Sequence, residues 1–123
     1  MYRKSAFVCA ALAVLSTAHA ADEQRIQQGK EVFETKCSAC HAIGEHKVGP
    51  RLDNLLGRRA GSVKGFEFSG AMKAANYRWD AEHLSAFLSN PQATVPGTAM
   101  AFGGIRAKEE RDALIAYLKR RGK

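Results

Sequence analysis

The sequence predicts an all-α domain folded around something other than protein. Three observations carry that expectation. Apolar residues recur at helical spacing in four stretches, and no segment alternates convincingly as a strand. Two long irregular stretches, roughly 42–68 and 91–106, are rich in glycine and carry Pro50, Pro91 and Pro96. They nevertheless hold Leu52, Leu55, Leu56 and Phe66 in the first, and Val95, Met100, Phe102 and Ile105 in the second. Structureless loops longer than about 12–15 residues are uncommon in compact domains and usually serve function. A chain of this size buries only a modest core by itself. Apolar loops with no sheet to cover therefore imply a large, flat, apolar body at the centre.

The chain opens on Met1-Tyr2-Arg3-Lys4, runs almost without polarity from Ala6 to Leu15, and closes that run on Ala18-His19-Ala20. A short basic start, an apolar run of about ten residues and small residues at −3 and −1 make a secretory signal peptide, with cleavage expected after Ala20. A membrane anchor fails on length, because spanning a bilayer takes about 20 apolar residues. A lipoprotein signal would need Cys9, but Val8 is a poor residue before such a cysteine, and cutting there leaves almost no apolar run. Cys9 is therefore read as filler. The expected organisation is a signal peptide over 1–20 and one domain over 21–123. That domain keeps 17 basic against 12 acidic residues, a net charge of +5. The excess fits steering toward acidic partner surfaces, and it fits plain solubility nearly as well. No basic stripe interleaved with aromatics points to nucleic acid.

Within the domain, Asp22 is expected to cap a helix running to about Lys36, with Ile26, Gly29, Val32 and Phe33 sharing one face. Ser69 is expected to cap a short helix through Ala75. Asp80 caps a third, flanked by Trp79 and Leu84 at the positions of a hydrophobic staple. Leu84, Phe87 and Leu88 share one side of that helix, and Asn90-Pro91 stops it. The last helix runs from about Lys108 to Arg121. It buries Leu114, Tyr117 and Leu118 and ends on Lys119-Arg120-Arg121, suited to the negative end of the helix dipole.

Cys37-Ser38-Ala39-Cys40-His41 is C-x-x-C-H, the haem attachment motif. Two thiols three residues apart lie on one face of a helical turn, where each can add to a haem vinyl group as a thioether. His41 then projects toward the iron from the same side. Covalent attachment keeps the haem bound outside the cell. A structural zinc site would need two further good ligands, and the domain has no third cysteine and only His46 and His83 besides His41. A thioredoxin-like pair belongs beside a βαβ pattern, which is absent. A simple disulfide leaves His41 and the missing core unexplained. The expectation is one haem c, bound through Cys37 and Cys40 and ligated by His41. For the sixth position a methionine thioether raises the reduction potential and favours the ferrous state. Met100 sits in a loop far in sequence from His41, able to wrap the opposite face. Met72 reads as gap-filling core. His46 or His83 would make a bis-histidine site, but each reads as an ordinary loop or surface residue.

The domain resembles class I cytochrome c, close to the mitochondrial and short bacterial members, over essentially its whole length. The shared marks are Gly29 and Phe33 before the C-x-x-C-H run, then Gly49-Pro50-Arg51-Leu52, Gly57-Arg58, Gly65-Phe66, Trp79 and Asn90-Pro91. Pro96-Gly97-Thr98 with Met100, and Leu114-Ile115-Ala116-Tyr117-Leu118, complete the set. The resemblance implies the cytochrome c fold, with N- and C-terminal helices crossing and short middle helices and loops wrapped around one haem. It implies that Gly29 lets the C-terminal helix cross closely, with Phe33, Leu114 and Tyr117 packing the crossing. It implies that the Pro50 carbonyl accepts from the His41 ring, which fixes its tautomer and basicity. Arg58 and the Trp79 indole would bind a buried haem propionate, Thr98 would support the loop bearing Met100, and Leu52 and Phe102 would shield the haem. The family's activity is one-electron transfer, not catalysis.

The chain departs from the mitochondrial pattern in several places. The loop after His41 is shorter, Phe68 and Phe87 stand where tyrosines are common, and Met72 stands where asparagine is usual. Gln92, Ala93 and Ala99 replace lysines near the presumed docking face, leaving Lys36, Lys47, Arg106 and Lys108 as a thinner basic rim. The expected protein is a monomeric periplasmic electron shuttle with redox partners bearing acidic docking surfaces, and with neither nucleic-acid nor stable membrane binding. The alternatives are a five-coordinate haem protein with ligand-binding or peroxidase activity, and a dedicated electron-accepting subunit of an exported dehydrogenase.

Overall fold

The computed structural model describes residues 6–123, with side chains described from residue 14. The basic start at Arg3-Lys4 lies outside the described residues, as does the side chain of Cys9. Five helices follow in order: α1 (Ala6–Lys36), α2 (Gly70–Ala74), α3 (Ala81–Ser89), α4 (Pro91–Thr94) and α5 (Lys108–Arg121). Among the described residues there is no strand, only an isolated antiparallel bridge between Arg59 and Arg78.

The helix expected to begin at Asp22 begins instead at Ala6, and Asp22 lies in its interior. Ala18, Ala20 and Ala21 are the best helix formers available, and no glycine or proline stands between them and Asp22 to end the run. Residues 14–25 are nevertheless exposed, and α1 enters the core only from Ile26 onward. There it crosses α5 at Gly29. A Cβ built on Gly29 would lie 2.6 Å from the carbonyl carbon of Ala113, closer still to its oxygen, and 2.7 Å from the Cβ of Tyr117. The two backbones thus touch through the one residue with no side chain, which offsets the ~1 kcal/mol that a mid-helix glycine costs. Phe33 and Tyr117 pack beside the crossing with ring centroids 5.6 Å apart, and Leu114 beneath it is 0% exposed.

The short helices start where capping side chains stand. Ser69 Oγ accepts from the Met72 N–H at 3.1 Å, and Asp80 Oδ1 accepts from the His83 N–H at 2.7 Å. Trp79 and Leu84 are both buried on either side of that cap. The stretch after Ser89, expected to be irregular throughout, contains the one-turn helix α4. Asn90 ends α3 and at the same time caps α4 by accepting from the Ala93 N–H at 3.1 Å, with Pro91 in the first turn where its missing N–H costs nothing. After α4 the chain returns along α3, where the Ile105 N–H donates to the Leu88 carbonyl at 2.8 Å. Gly104 makes that return, with a φ of +99° and no room for a Cβ against the Ser89 carbonyl. Arg111 on α5 locks the same corner through Ser85 Oγ at 2.9 Å and the carbonyls of Ile105 and Arg106. The loops between helices are therefore held from outside, and their apolar residues turn inward around a central cavity.

Candidate functional site

The cavity holds about 370 Å³ and is walled by α1, α2, α3, α5 and both long loops. Its apolar lining comes from Leu52, Leu55, Phe66, Phe68, Met72, Trp79, Leu84, Phe87, Phe102, Leu114 and Leu118. The structure brings every candidate site residue to it: Cys37, Cys40, His41, Pro50, Leu52, Arg58, Trp79, Thr98, Met100 and Phe102 all line the same space.

Cys37 to His41 form a tight turn at the end of α1, with the His41 N–H donating to the Cys37 carbonyl at 2.8 Å and the Cys40 N–H to the same oxygen at 3.0 Å. That turn presents both thiols and the imidazole to the cavity. Burial pushes the Cys37 thiol up to about 11, against the pull of Lys36 and with a small push from Cys40. A thiol so reluctant to ionise is a poor redox nucleophile. Burial also lowers the His41 pKa below the ordinary histidine value, opposed by the Pro50 hydrogen bond and aided by Lys47, so the ring is held neutral. His41 Nδ1 donates to the Pro50 carbonyl at 2.9 Å. That bond fixes the tautomer and leaves Nε2 as the nitrogen free to bind metal. Gly49, unremarked in the sequence beyond its place in a motif, cradles the ring: its Cβ would stand 2.7 Å from both ring nitrogens and closer to Cε1.

Met100 lies on the loop after α4. Its N–H meets Thr98 Oγ1 at 3.4 Å, and Thr98 itself is buried. Gln92 on α4, which the sequence marked only as a lost lysine, donates its amide to the Thr98 carbonyl at 3.0 Å and reaches the Met100 carbonyl at 3.5 Å. Met72 is buried and lines the cavity too, from α2. The two histidines weighed as alternatives are both engaged elsewhere. His46 Nε2 donates to the Lys64 carbonyl at 2.9 Å while its Nδ1 accepts from the Arg51 N–H at 3.0 Å. His83 pairs with Asp80 at 2.9 Å and stacks on Tyr77 with centroids 4.4 Å apart. Neither lines the cavity.

Arg58 is half-buried and donates to the carbonyls of Arg51 and Asp53. Phe68 and Phe87, which stand where hydroxyls were the family habit, complete an aromatic wall: Phe66 to Phe68 at 4.9 Å and Trp79 to Phe87 at 5.2 Å.

Two thiols, one imidazole with a free Nε2 and an apolar chamber suit a large apolar cofactor anchored at one edge. They suit a bare metal ion badly, for no group of three His, Cys, Asp or Glu among the described residues is placed to hold one. An all-helical shell built in this way around such a chamber is that of a haem-carrying electron-transfer protein. The cytochrome c family model matches residues 26–121, and the chain belongs to that family. The cytochrome c of Gibberella zeae is 42% identical over 97 residues, which cover 76% of this chain and 92% of that one. That of Tetrahymena pyriformis is 48% identical over 92 residues, or 74% and 84% of the two chains. Among solved structures, cytochrome cH from Methylobacterium extorquens matches with a TM-score of 0.74 at 39% identity, over 76% of this chain and 96% of that one. The protein accordingly has the cytochrome c fold and carries one covalently attached haem c, through Cys37 and Cys40. It is a monohaem electron carrier serving redox partners, not an enzyme.

Proposed function

We propose that His41 and Met100 are the axial ligands of the haem, and that the protein is an exported, diffusible one-electron shuttle of a respiratory chain, working as a monomer through a haem edge at the cavity mouth. The observation that carries the ligand assignment is the placement of the candidate donors. His41 and Met100 both line the cavity, whereas His46 and His83 do not; both ring nitrogens of His46 and Nδ1 of His83 are engaged outside it. Met72 is the other thioether within the cavity, but it belongs to helix α2, where its N–H caps onto Ser69, whereas Thr98 and Gln92 hold the separate loop that carries Met100.

When bound, the haem iron supplies the one-electron couple. The rest falls to the chain. Pro50 and Gly49 pin the His41 ring, Thr98 holds the Met100 loop, and the leucine and aromatic walls exclude water. Arg58 and the Trp79 indole would receive a propionate, which is costly to bury unpaired. Leu52 and Phe102 shield the haem. With His41 and Met100 both holding the iron, the chain would leave no coordination site open for a substrate. Val48, 77% exposed, together with exposed Cys40, Ala99 and Ala101, belongs to the cavity lining and supports an exposed edge there. The net charge of +5 over residues 21–123 supports steering to donor and acceptor proteins with acidic docking surfaces. The rim is thinner than its lysines suggest, because Lys36 faces Glu110 at 3.8 Å and Lys108 pairs with Asp112 at 2.6 Å.

Export to the periplasm rests on the signal-like residues 1–20, with cleavage after Ala20. It is supported by the exposure of residues 14–20, whose removal costs no core contact. Among the described residues no helix is long and apolar enough to cross a membrane.

The deciding experiment is the optical spectrum of the ferric protein, of Met100→Ala and of Met72→Leu, all made in a host that attaches haem covalently. Wild type and Met72→Leu should show the weak sulfur-to-iron charge-transfer band, and Met100→Ala should lose it. A wild-type protein that lacks the band and binds carbon monoxide rapidly when reduced would replace the shuttle with a five-coordinate, ligand-binding haem protein. Mass measurement of the periplasmic product should place its N-terminus at Ala21.

A further inference from the structure

The aromatic wall of the haem cavity does not end at the cavity. Trp79 lines it, but Tyr77 and His83 do not, and both are joined to Trp79 by ring contacts. Residues 77–79 run extended beside 57–60. The Trp79 N–H donates to the Arg58 carbonyl at 2.9 Å, and the Ala60 N–H to the Tyr77 carbonyl at 3.0 Å. Residues two apart in such backbone share a side, so Tyr77 and Trp79 stand together. Their rings meet edge to face, with centroids 5.3 Å apart and planes at 82°. Tyr77 also stacks on His83, with centroids 4.4 Å apart and planes within 18°. Both are arrangements that aromatic rings prefer.

The outer end of this stack is fixed and open to solvent. Asp80 Oδ1 accepts from the His83 N–H at 2.7 Å and from the ring Nδ1 at 2.9 Å, so one carboxylate caps α3 and holds the imidazole against Tyr77. The His83 side chain is 43% exposed, with Nε2 on the far side of the ring from that bond. The Tyr77 hydroxyl, by contrast, is buried and has no hydrogen-bond partner among the described residues. Burial raises its pKa above the ordinary tyrosine value. An oxidised phenol must shed its proton, and no group stands ready to take this one. Tyr77 is therefore a poor place for an electron hole to rest, and its ring can serve only as a bridge crossed in a single step.

We propose that Trp79, Tyr77 and His83 form a second electron path, which joins the haem cavity to the surface at the start of α3. Electronic coupling falls steeply across gaps and less steeply through rings in contact, and this run of rings leaves no gap. One electron passes between the haem and a redox centre brought against His83; one is oxidised as the other is reduced, and no bond or proton moves. The cavity mouth, with Cys40, Val48, Ala99 and Ala101, shares no residue with this path. The carrier could thus exchange electrons at two faces. The path needs haem in the cavity that Trp79 lines, and it does not depend on which residue is the sixth ligand or on export.

The test uses the holoprotein with a ruthenium polypyridyl complex coordinated to His83 Nε2, its position confirmed by peptide mass. A flash oxidises the label, which then takes one electron from the ferrous haem. Tyr77→Phe keeps the ring and should keep the rate within twofold. Tyr77→Leu should slow it at least threefold, with the ferric spectrum and the potential unchanged. In Glu82→His/His83→Gln the label moves one residue along α3, off the stack. Transfer from there should be slower than from His83, and should not respond to Tyr77→Leu. Nuclear magnetic resonance of the unlabelled protein gives a readout apart from electron transfer. The His83 ring protons should lie upfield in wild type and Tyr77→Phe, and return downfield in Tyr77→Leu. Wild-type transfer in Tyr77→Leu overturns the path, as does equal transfer from positions 82 and 83, which decides the matter even if Tyr77→Leu does not fold. A Tyr77→Phe protein as slow as Tyr77→Leu would assign the effect to the hydroxyl and refute the ring bridge.

Discussion

Replacing Gly29 by alanine should destabilise the holoprotein by about 2 kcal/mol, even though alanine is the better helix former. The introduced Cβ would sit 2.6 Å from the Ala113 carbonyl carbon, nearer its oxygen, and 2.7 Å from Tyr117 Cβ. Ordinary contact between such atoms lies near 3.5 Å. None of them is the loose end of a side chain, so relief requires α1 and α5 to part by roughly 1 Å. A gap of that size forfeits about a quarter to a half of the dispersion energy across it. The loss falls on Phe33, Leu114, Tyr117 and Leu118, all buried at this end of the core. Overpacking of a fitted core costs about 1–3 kcal/mol, and a clash between two backbones belongs at the upper end. Against this, losing a mid-helix glycine returns about 1 kcal/mol. Guanidinium unfolding of the ferric holoprotein, followed by helical circular dichroism, should show a lower midpoint with an unchanged slope. Helix propensity alone predicts the opposite sign. A Gly29→Ala protein as stable as wild type, or more so, would refute the close crossing.

Three further substitutions probe the site and its supports. Gly49→Ala should push the His41 imidazole aside and stretch its 2.9 Å bond to Pro50; the weaker ligand basicity should raise the reduction potential, and voltammetry showing no shift would sink the cradle argument. Gln92→Ala removes the amide that tethers the Thr98 carbonyl, worth about 1 kcal/mol. Exogenous imidazole should then displace the sixth ligand roughly fivefold faster, and an unchanged rate would deny Gln92 a positioning role. Asp80 is held below the usual aspartate value by the His83 N–H, then by the His83 ring. Its depressed pKa means that its contribution is present above about pH 4 and lost as the pH falls through the folded value. Asp80→Asn keeps the capping oxygen without the charge, so its stability should depend less on pH below 4 than wild type; identical acid-unfolding curves would contradict this.

How much of this was visible in the sequence depends on whether the information is local. Ser69 and Asp80 announce α2 and α3 because a cap is a contact between residues three apart. The C-x-x-C-H run names its cofactor for the same reason. The one-turn helix α4 escaped because four residues carry no apolar period, and because Asn90-Pro91, read as a stop, also serves as a start. The beginning of α1 was misplaced because alanines on both sides of the expected cleavage point give the uncut chain no reason to stop being helical.

The site shows the same division more sharply. The lining residues were found through motifs strung along the chain, yet the contacts that hold them were not. Gly49 against the His41 ring spans a turn, Gln92 reaches forward over α4 to the Met100 loop, and Glu110 answers Lys36 from another helix. That last pairing alters function as well as structure. A lysine tallied from the sequence adds its full charge to the docking rim. Once it faces a carboxylate across the α1–α5 crossing, it projects little field beyond about 8–10 Å at physiological salt.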